Sequence, residues 1–321
     1  FTETLLRLKI RLPQTKGTDI LSEDLAARLG TKRYFLYPGH SGIIGSFDIS
    51  VDEMARAWSA FYGGNMVEPR IIDKIIDDSG EFMEFPPQFH GNVLADIWVE
   101  TRKEEMRRNE AEYIWKLEQA RRTEARQSQK PYSTKSRRKI YLEVLKSMTF
   151  DEADLKARSG HEAEKISLAL MRGLRATVEF EHGTGKLARL GSEKQGIPKL
   201  DLQIGCKTGT ATNQAGDTTD NWIACRTVSH VMVVWIGRKD KLPMKSINPA
   251  TGKEIQETGG GNALPVLIKT FAKIYETYPK KQFPDETDPL KPFKYRIEVP
   301  QESRGGDLPA GDSESEIKDD F

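Results

Sequence analysis

The sequence predicts an α+β fold in which an antiparallel sheet is flanked by helices. Three successive segments, Leu202–Asn213, Asn221–Arg226 and His230–Gly237, carry alternating or short apolar runs with polar residues between them, as in a meander of neighbouring strands. Segments with helical periodicity stand before and after them, at Ser50–Phe61 and Val266–Tyr275. At 321 residues the chain can bury a substantial core in one large domain or two small ones.

Charge excludes a chain built as a whole for one polyelectrolyte partner. Forty-nine Lys and Arg stand against 48 Asp and Glu, a net charge of +1. The balance is uneven along the chain: Thr101–Lys139 holds thirteen bases against six acids, and the last twenty-one residues hold seven acids against two bases. No apolar run reaches the length of a membrane span and no signal-peptide pattern opens the chain. The start at Phe1, without an initiator methionine, suggests a fragment, an excised domain or a processed product, which leaves room for a leader or anchor upstream.

Taken in order, Leu5–Leu12 alternates apolar and polar residues, and Ser22–Leu29 reads as a helix capped by Ser22 and stopped by Gly30. Ser50 and Glu53 form a capping box for the next helix. Its buried stripe is Met54, Ala57, Trp58 and Phe61, and Gly63-Gly64 ends it. Ile71–Phe85 reads as a strand pair closing at Pro86-Pro87. Val93–Arg122 has neither Gly nor Pro and a sparse apolar stripe (Leu94, Ile97, Trp98, Met106, Tyr113, Ile114, Leu117), which predicts a long, solvated helix. Gln127–Lys139 reads as a solvated segment with the basic run Lys135-Ser136-Arg137-Arg138-Lys139. An anionic surface is its conceivable partner; aromatic residues for base stacking are too few for nucleic acid.

Helical patterns resume over Ile140–Ala157 and from Glu162 onward. Gly183-Thr184-Gly185 reads as a tight turn whose glycines accept positive φ, and the preceding His182 reads as a surface residue. A buried strand at Leu202–Ile204 then runs into Lys207-Thr208-Gly209-Thr210. Lysine supplies a cation, the threonine hydroxyls can hydrogen-bond a carboxylate, and glycine lets an extended substrate lie against the strand edge. Two cysteines, Cys206 and Cys225, fall on the strands expected to pair. A cross-strand bridge and two buried thiols are both open, and the thiols are favoured. Leu267, Ile268, Phe271 and Ile274 supply the face on which the last helix packs across the sheet. Residues 279–321 are rich in Pro, Gly and acids and read as an extended or disordered tail.

K-T-G is a signature of penicillin-binding proteins and class A β-lactamases. Four blocks around it resemble, in the right order, the C-terminal part of the transpeptidase domain of class A high-molecular-weight penicillin-binding proteins. Ser41–Arg70 is similar to the family segment G-S-x-x-V-S-P-L-E-M-A-x-A-Y-x-x-F-A-N-G-G-x-x-x-x-P, with Val51 in place of its proline. Glu162–Leu190 is similar to the helix and V-x-x-G-T-G-x-x-A that precede K-T-G, Asp220–Ala224 and Val233–Arg238 to the strands after it, and Glu257–Pro265 to T-G-G-x-x-A-x-P.

The resemblance implies a three-layer transpeptidase-like fold over 1–278, incomplete on its N-terminal side and interrupted by a charged insertion over 93–139. It implies acyl transfer from the D-Ala-D-Ala end of a peptidoglycan stem peptide, and binding of β-lactams. Lys207, Thr208, Gly209 and Thr210 would hold the terminal carboxylate, and the Thr210 backbone N–H would be one oxyanion donor. No metal or cofactor is implied. An upstream half or a glycosyltransferase domain is an expected partner, and the location is periplasmic or extracytoplasmic with a membrane anchor in the full-length protein.

The family's nucleophile motif, S-x-x-K, and its S-x-N are expected upstream of the helix at Ser50, and none of the residues there spells either. Ser136-Arg137-Arg138-Lys139 and Ser315-Glu316-Ile317-Lys318 match S-x-x-K, and Ser246-Ile247-Asn248 matches S-x-N. None begins an apolar helix that could bury the lysine as a base, or stands in the right order. The chain alone is therefore expected to be inactive, as part of a transpeptidase whose serine lies elsewhere. A catalytically silent relative that binds peptidoglycan or a partner protein is the alternative.

Overall fold

The computed structural model describes Leu8 and residues 49–292, apart from 70–73, 77, 85–87, 239, 241 and 248–251. The expected helix Ser22–Leu29, the stretch Leu5–Leu12 except Leu8, the block 41–48, Pro86-Pro87, Asn248, Ser315–Lys318 and the tail beyond 292 lie outside the described residues.

Helix α1, Val51–Ser59, starts where predicted: the Glu53 amide donates to the Ser50 hydroxyl (3.4 Å) and the Glu53 carboxylate accepts from the Ser50 amide (3.1 Å). Ala57 and Trp58 are buried, whereas Met54 and Phe61 are only partly so. Strand β1 (Asn65–Val67) pairs with β4 (Phe89–Asn92), and β2 (Lys74–Ile76) pairs with β3 (Phe82–Glu84) as an antiparallel hairpin between them.

Helix α2 runs Val93–Gln127, 35 residues, and outlasts the predicted end at Arg122. Pairs at helical spacing, Arg102–Glu105 (2.5 Å) and Arg108–Glu104 (3.1 Å), line its surface in place of a continuous apolar stripe. Its first turns bury Leu94 and Ala95 against Ala163, Ile166 and Leu170. Arg137–Ser147 forms helix α3, so the last part of the supposed linker is helical; α3 folds back on α2 around Ala111, Ile140 and Val144.

Helix α4, Glu152–Glu179, is capped by Asp151, whose carboxylate accepts from the Asp154 amide (3.0 Å). A short helix α5 (Leu187–Leu190) follows. The meander is present as β5 (Gly205–Thr212), β6 (Thr218–Arg226) and β7 (Val231–Gly237), in that order. One boundary differs from expectation: Leu202–Ile204 is an irregular lead-in, and the strand begins at Gly205. A small hairpin, β8 (Lys245–Ile247) with β9 (Glu254–Gln256), precedes helix α6, Leu264–Ile274.

One face of the meander packs on α6 and on Val178 near the end of α4, which otherwise runs along the β5 edge at Gly205. Leu264, Leu267, Ile268 and Phe271 of α6 are fully buried against Ile204, Cys206, Ile223 and Cys225, with Ile274 packed partly against the same cluster. The opposite face meets α1, where Arg226 donates to the carbonyls of Trp58 (3.2 Å), Ser59 (2.8 Å) and Tyr62 (3.0 Å). Helix, antiparallel sheet and helix make the predicted three layers. Residues 279–292, expected as tail, lie against the body: Phe283 is buried edge-on to Tyr62 (5.0 Å), and Thr287 accepts from Arg175 (2.8 Å).

Cys206 and Cys225 are bonded, which corrects the preference for two thiols. They stand directly opposite each other in the β5–β6 register with Cα atoms 4.1 Å apart, both fully buried, so the two sulfurs meet inside the core. The bridge closes a sequence separation of 19 residues, so a Cys206→Ala/Cys225→Ala double variant is expected to lose about 3 kcal/mol of stability. A shift in the guanidinium midpoint against the oxidised protein measures it.

Candidate functional site

K-T-G lies on β5, the outer strand of the three-stranded sheet. Alternation along the strand puts Lys207 and Gly209 on the α1 face and Thr208 and Thr210 on the face of Cys206. Lys207 and Thr210 are exposed; Thr208 and Gly209 are half-buried. The Lys207 ammonium donates to the Thr208 carbonyl (2.6 Å). Gly209 is opposite Trp222, and a Cβ on it would sit 3.2 Å from the Trp222 Cβ. Trp222 in turn neighbours Trp235 (ring centroids 6.2 Å), whose Nε1 donates to Asp220 (3.0 Å). An indole pair thus floors the strand on the lysine face.

Two remote turns close on the threonine face. The Thr208 hydroxyl donates to that of Thr184 (2.9 Å), the central residue of G-T-G. The Thr177 hydroxyl near the end of α4 donates to the Cys206 carbonyl (2.7 Å), tying the strand to the helix immediately before the lysine. The glycines of G-T-G are needed for a different reason from the one expected. Neither has positive φ; a Cβ on Gly183 would lie 2.1 Å from the Thr177 carbonyl oxygen, and one on Gly185 3.1 Å from Val178 Cγ2. Close approach, not a left-handed backbone, selects glycine there.

The second turn on this face is T-G-G before α6, where a Cβ on Gly260 would lie 3.0 Å from the Thr184 carbonyl oxygen. The Gly259 amide donates to the Thr210 hydroxyl (3.4 Å), and the Thr258 hydroxyl accepts from the Gly261 amide (3.0 Å). Thr184 and Gly259 therefore join Lys207–Thr210. Sequence reading placed both motifs near the strand but not these contacts, whose only signal was a small-residue triplet at each turn.

The two described serines among the rejected matches stand away from any such arrangement. Ser136 caps the exposed start of α3, its hydroxyl accepting from the Lys139 amide (3.2 Å), and Ser246 lies within the β8 hairpin. His182 is exposed beside G-T-G. Among the described residues no helix is long and apolar enough to cross a membrane.

No family model matches the chain. A stretch of 75 residues, 23% of the chain, is 39% identical to penicillin-binding protein 1A of Haemophilus influenzae, of which it covers 9%. Over those 75 residues the chain is similar to a penicillin-binding protein. Among solved structures, the chain resembles PonA1 of Mycobacterium tuberculosis in complex with penicillin V, over 87% of this chain and 50% of that one, at 13% identity and a TM-score of 0.46. A second PonA1 structure aligns over 77% of this chain and 44% of that one, also at 13% identity, with a TM-score of 0.41. The chain thus spans about half the length of the solved structures it matches.

Proposed function

We propose that this chain forms the K-T-G wall of a peptidoglycan D,D-transpeptidase whose serine is carried by another part of a longer polypeptide. The observation that supports it most is the Lys207–Thr210 edge, with Lys207 and Thr210 exposed and its two threonines bonded to Thr184 and Gly259. In this reading the Lys207 ammonium and the Thr208 and Thr210 hydroxyls hold the terminal carboxylate of the stem peptide. The serine oxygen attacks the penultimate D-Ala carbonyl, and the Thr210 N–H donates to the oxyanion. The C–N bond then breaks, D-Ala leaves with the proton, and an amine of a neighbouring strand displaces the serine from the ester. Such a protein works on the outer side of the cytoplasmic membrane, behind an anchor and in company with a glycosyltransferase domain.

Covalent labelling of the full-length product by a fluorescent β-lactam tests the reading. Labelling is expected, and Lys207→Ala is expected to slow it about 10- to 100-fold, the loss of one charged hydrogen bond. Because Lys207 is exposed, the melting temperature should hold. A full-length protein that takes no label overturns the proposal and leaves a silent binding relative.

A further inference from the structure

Helices α2 and α3 form an arm whose two halves differ in charge. From Glu100 to Glu118 five bases face six acids, interleaved as Arg102–Glu105 and Arg108–Glu104 pairs. From Gln119 to Lys139 the segment itself carries eight bases and one acid, Glu124; three of the bases, Arg121, Lys135 and Arg137, pair with Glu118, Glu143 and Glu112 outside it, and five remain. A stretch charged only to stay solvated has no need of one sign, and the first half of the same helix shows the mixed alternative.

The arm is built to hold its tip out. Arg137 of α3 reaches Glu112 (3.1 Å) and stacks on Trp115 (3.9 Å), while the Tyr132 hydroxyl donates to Glu118 (2.8 Å). The returning chain is thereby fixed against α2, over the small core of Ala111, Ile140 and Val144. Residues 119–130 extend beyond those ties. Arg126 and Lys130 are exposed there; Tyr132, 40% exposed, follows beside Pro131, and Arg138 and Lys139 are exposed on the first turn of α3.

We propose that this tip rests on a bilayer surface rich in anionic phospholipid. A clustered, one-signed set of Lys and Arg with an amphipathic aromatic residue suits the headgroup region, where each cation strengthens attachment by about five-fold. Nucleic acid is disfavoured because the tip offers Tyr132 alone as a stacking ring. The choice of lipid rests on the membrane-anchored reading above. Its test does not use acylation, so the two can fail separately.

The test is sedimentation of the 321-residue chain with vesicles of phosphatidylcholine, with and without phosphatidylglycerol. Binding to the phosphatidylglycerol vesicles alone is expected, falling steeply as salt is raised. Arg126→Gln/Lys130→Gln/Arg138→Gln/Lys139→Gln should weaken it at least about 100-fold, and Lys194→Gln/Lys199→Gln/Lys269→Gln should not. Absence of binding at low salt, insensitivity to salt, equal loss in both variants, or capture by soluble polyphosphate but not by vesicles overturns the proposal. The salt titration of the unaltered chain decides the matter even if the quadruple variant fails to fold.

Discussion

Replacing Arg226 by Met is expected to lower the unfolding free energy by about 3 kcal/mol, more than a surface arginine could account for. The guanidinium is buried between the sheet and α1 and donates to three carbonyls, those of Trp58, Ser59 and Tyr62, at the end of that helix. Helix ends leave carbonyls without partners, and here the arginine fork supplies them from the neighbouring layer. Arg226→Lys should rescue little, because an ammonium cannot span three acceptors in that fixed fork. Urea denaturation of both variants measures the loss, and a change below about 1 kcal/mol for Met would show that water serves the carbonyls equally well. Burial lowers the Arg226 pKa to about 10, still far above neutrality. A base whose folded pKa is lowered binds fewer protons folded than unfolded, so stability rises with pH only above about 10. Near pH 7 the loss in the Met variant should therefore not depend on pH.

Gly259→Ala is expected to cripple the candidate site while costing the fold about 1 to 3 kcal/mol. The added methyl would lie 2.3 Å from the Trp222 carbonyl oxygen and 2.7 Å from that of Gly209. Both obstacles are backbone, so no side chain can rotate away; either the T-G-G turn lifts or the K-T-G strand moves. A displacement near 1 Å at such a position costs roughly 100-fold in rate, and β-lactam labelling of the full-length product reads it. Gly160→Ala and Gly173→Ala supply the control. Each lies inside α4 with nothing within 4 Å of the new Cβ, so each should stabilise by about 0.5 to 1 kcal/mol and leave labelling unchanged. Normal labelling of Gly259→Ala would mean that the turn does not position the strand.

Much of this was legible in the residues because it is local. The Ser50/Glu53 box, the long Val93 helix and the apolar face of α6 depend on neighbours within a turn or two, and each stands at or near its predicted place. Arg137–Lys139 was harder: the basic run hides a helix start, and only packing of Ile140 and Val144 on α2 makes a helix favourable there. Thr184 could not have been assigned its place beside Thr208, since 24 residues separate them in sequence.

The sequence by itself determined the α+β class, the order of strands around K-T-G and the resemblance that singles out Lys207–Thr210. These rest on motif order and on periods of two and 3.6, which a chain displays without being folded. Only the tertiary structure decided that Cys206 and Cys225 are bonded, that Arg226 spans the sheet to cap α1, and that the G-T-G and T-G-G glycines serve close approach. The disulfide, the Arg226 contacts and the Gly259 approach join segments distant in the chain, while the G-T-G glycines close on Thr177 and Val178 a few residues back; all are distances that exist only once the chain has packed.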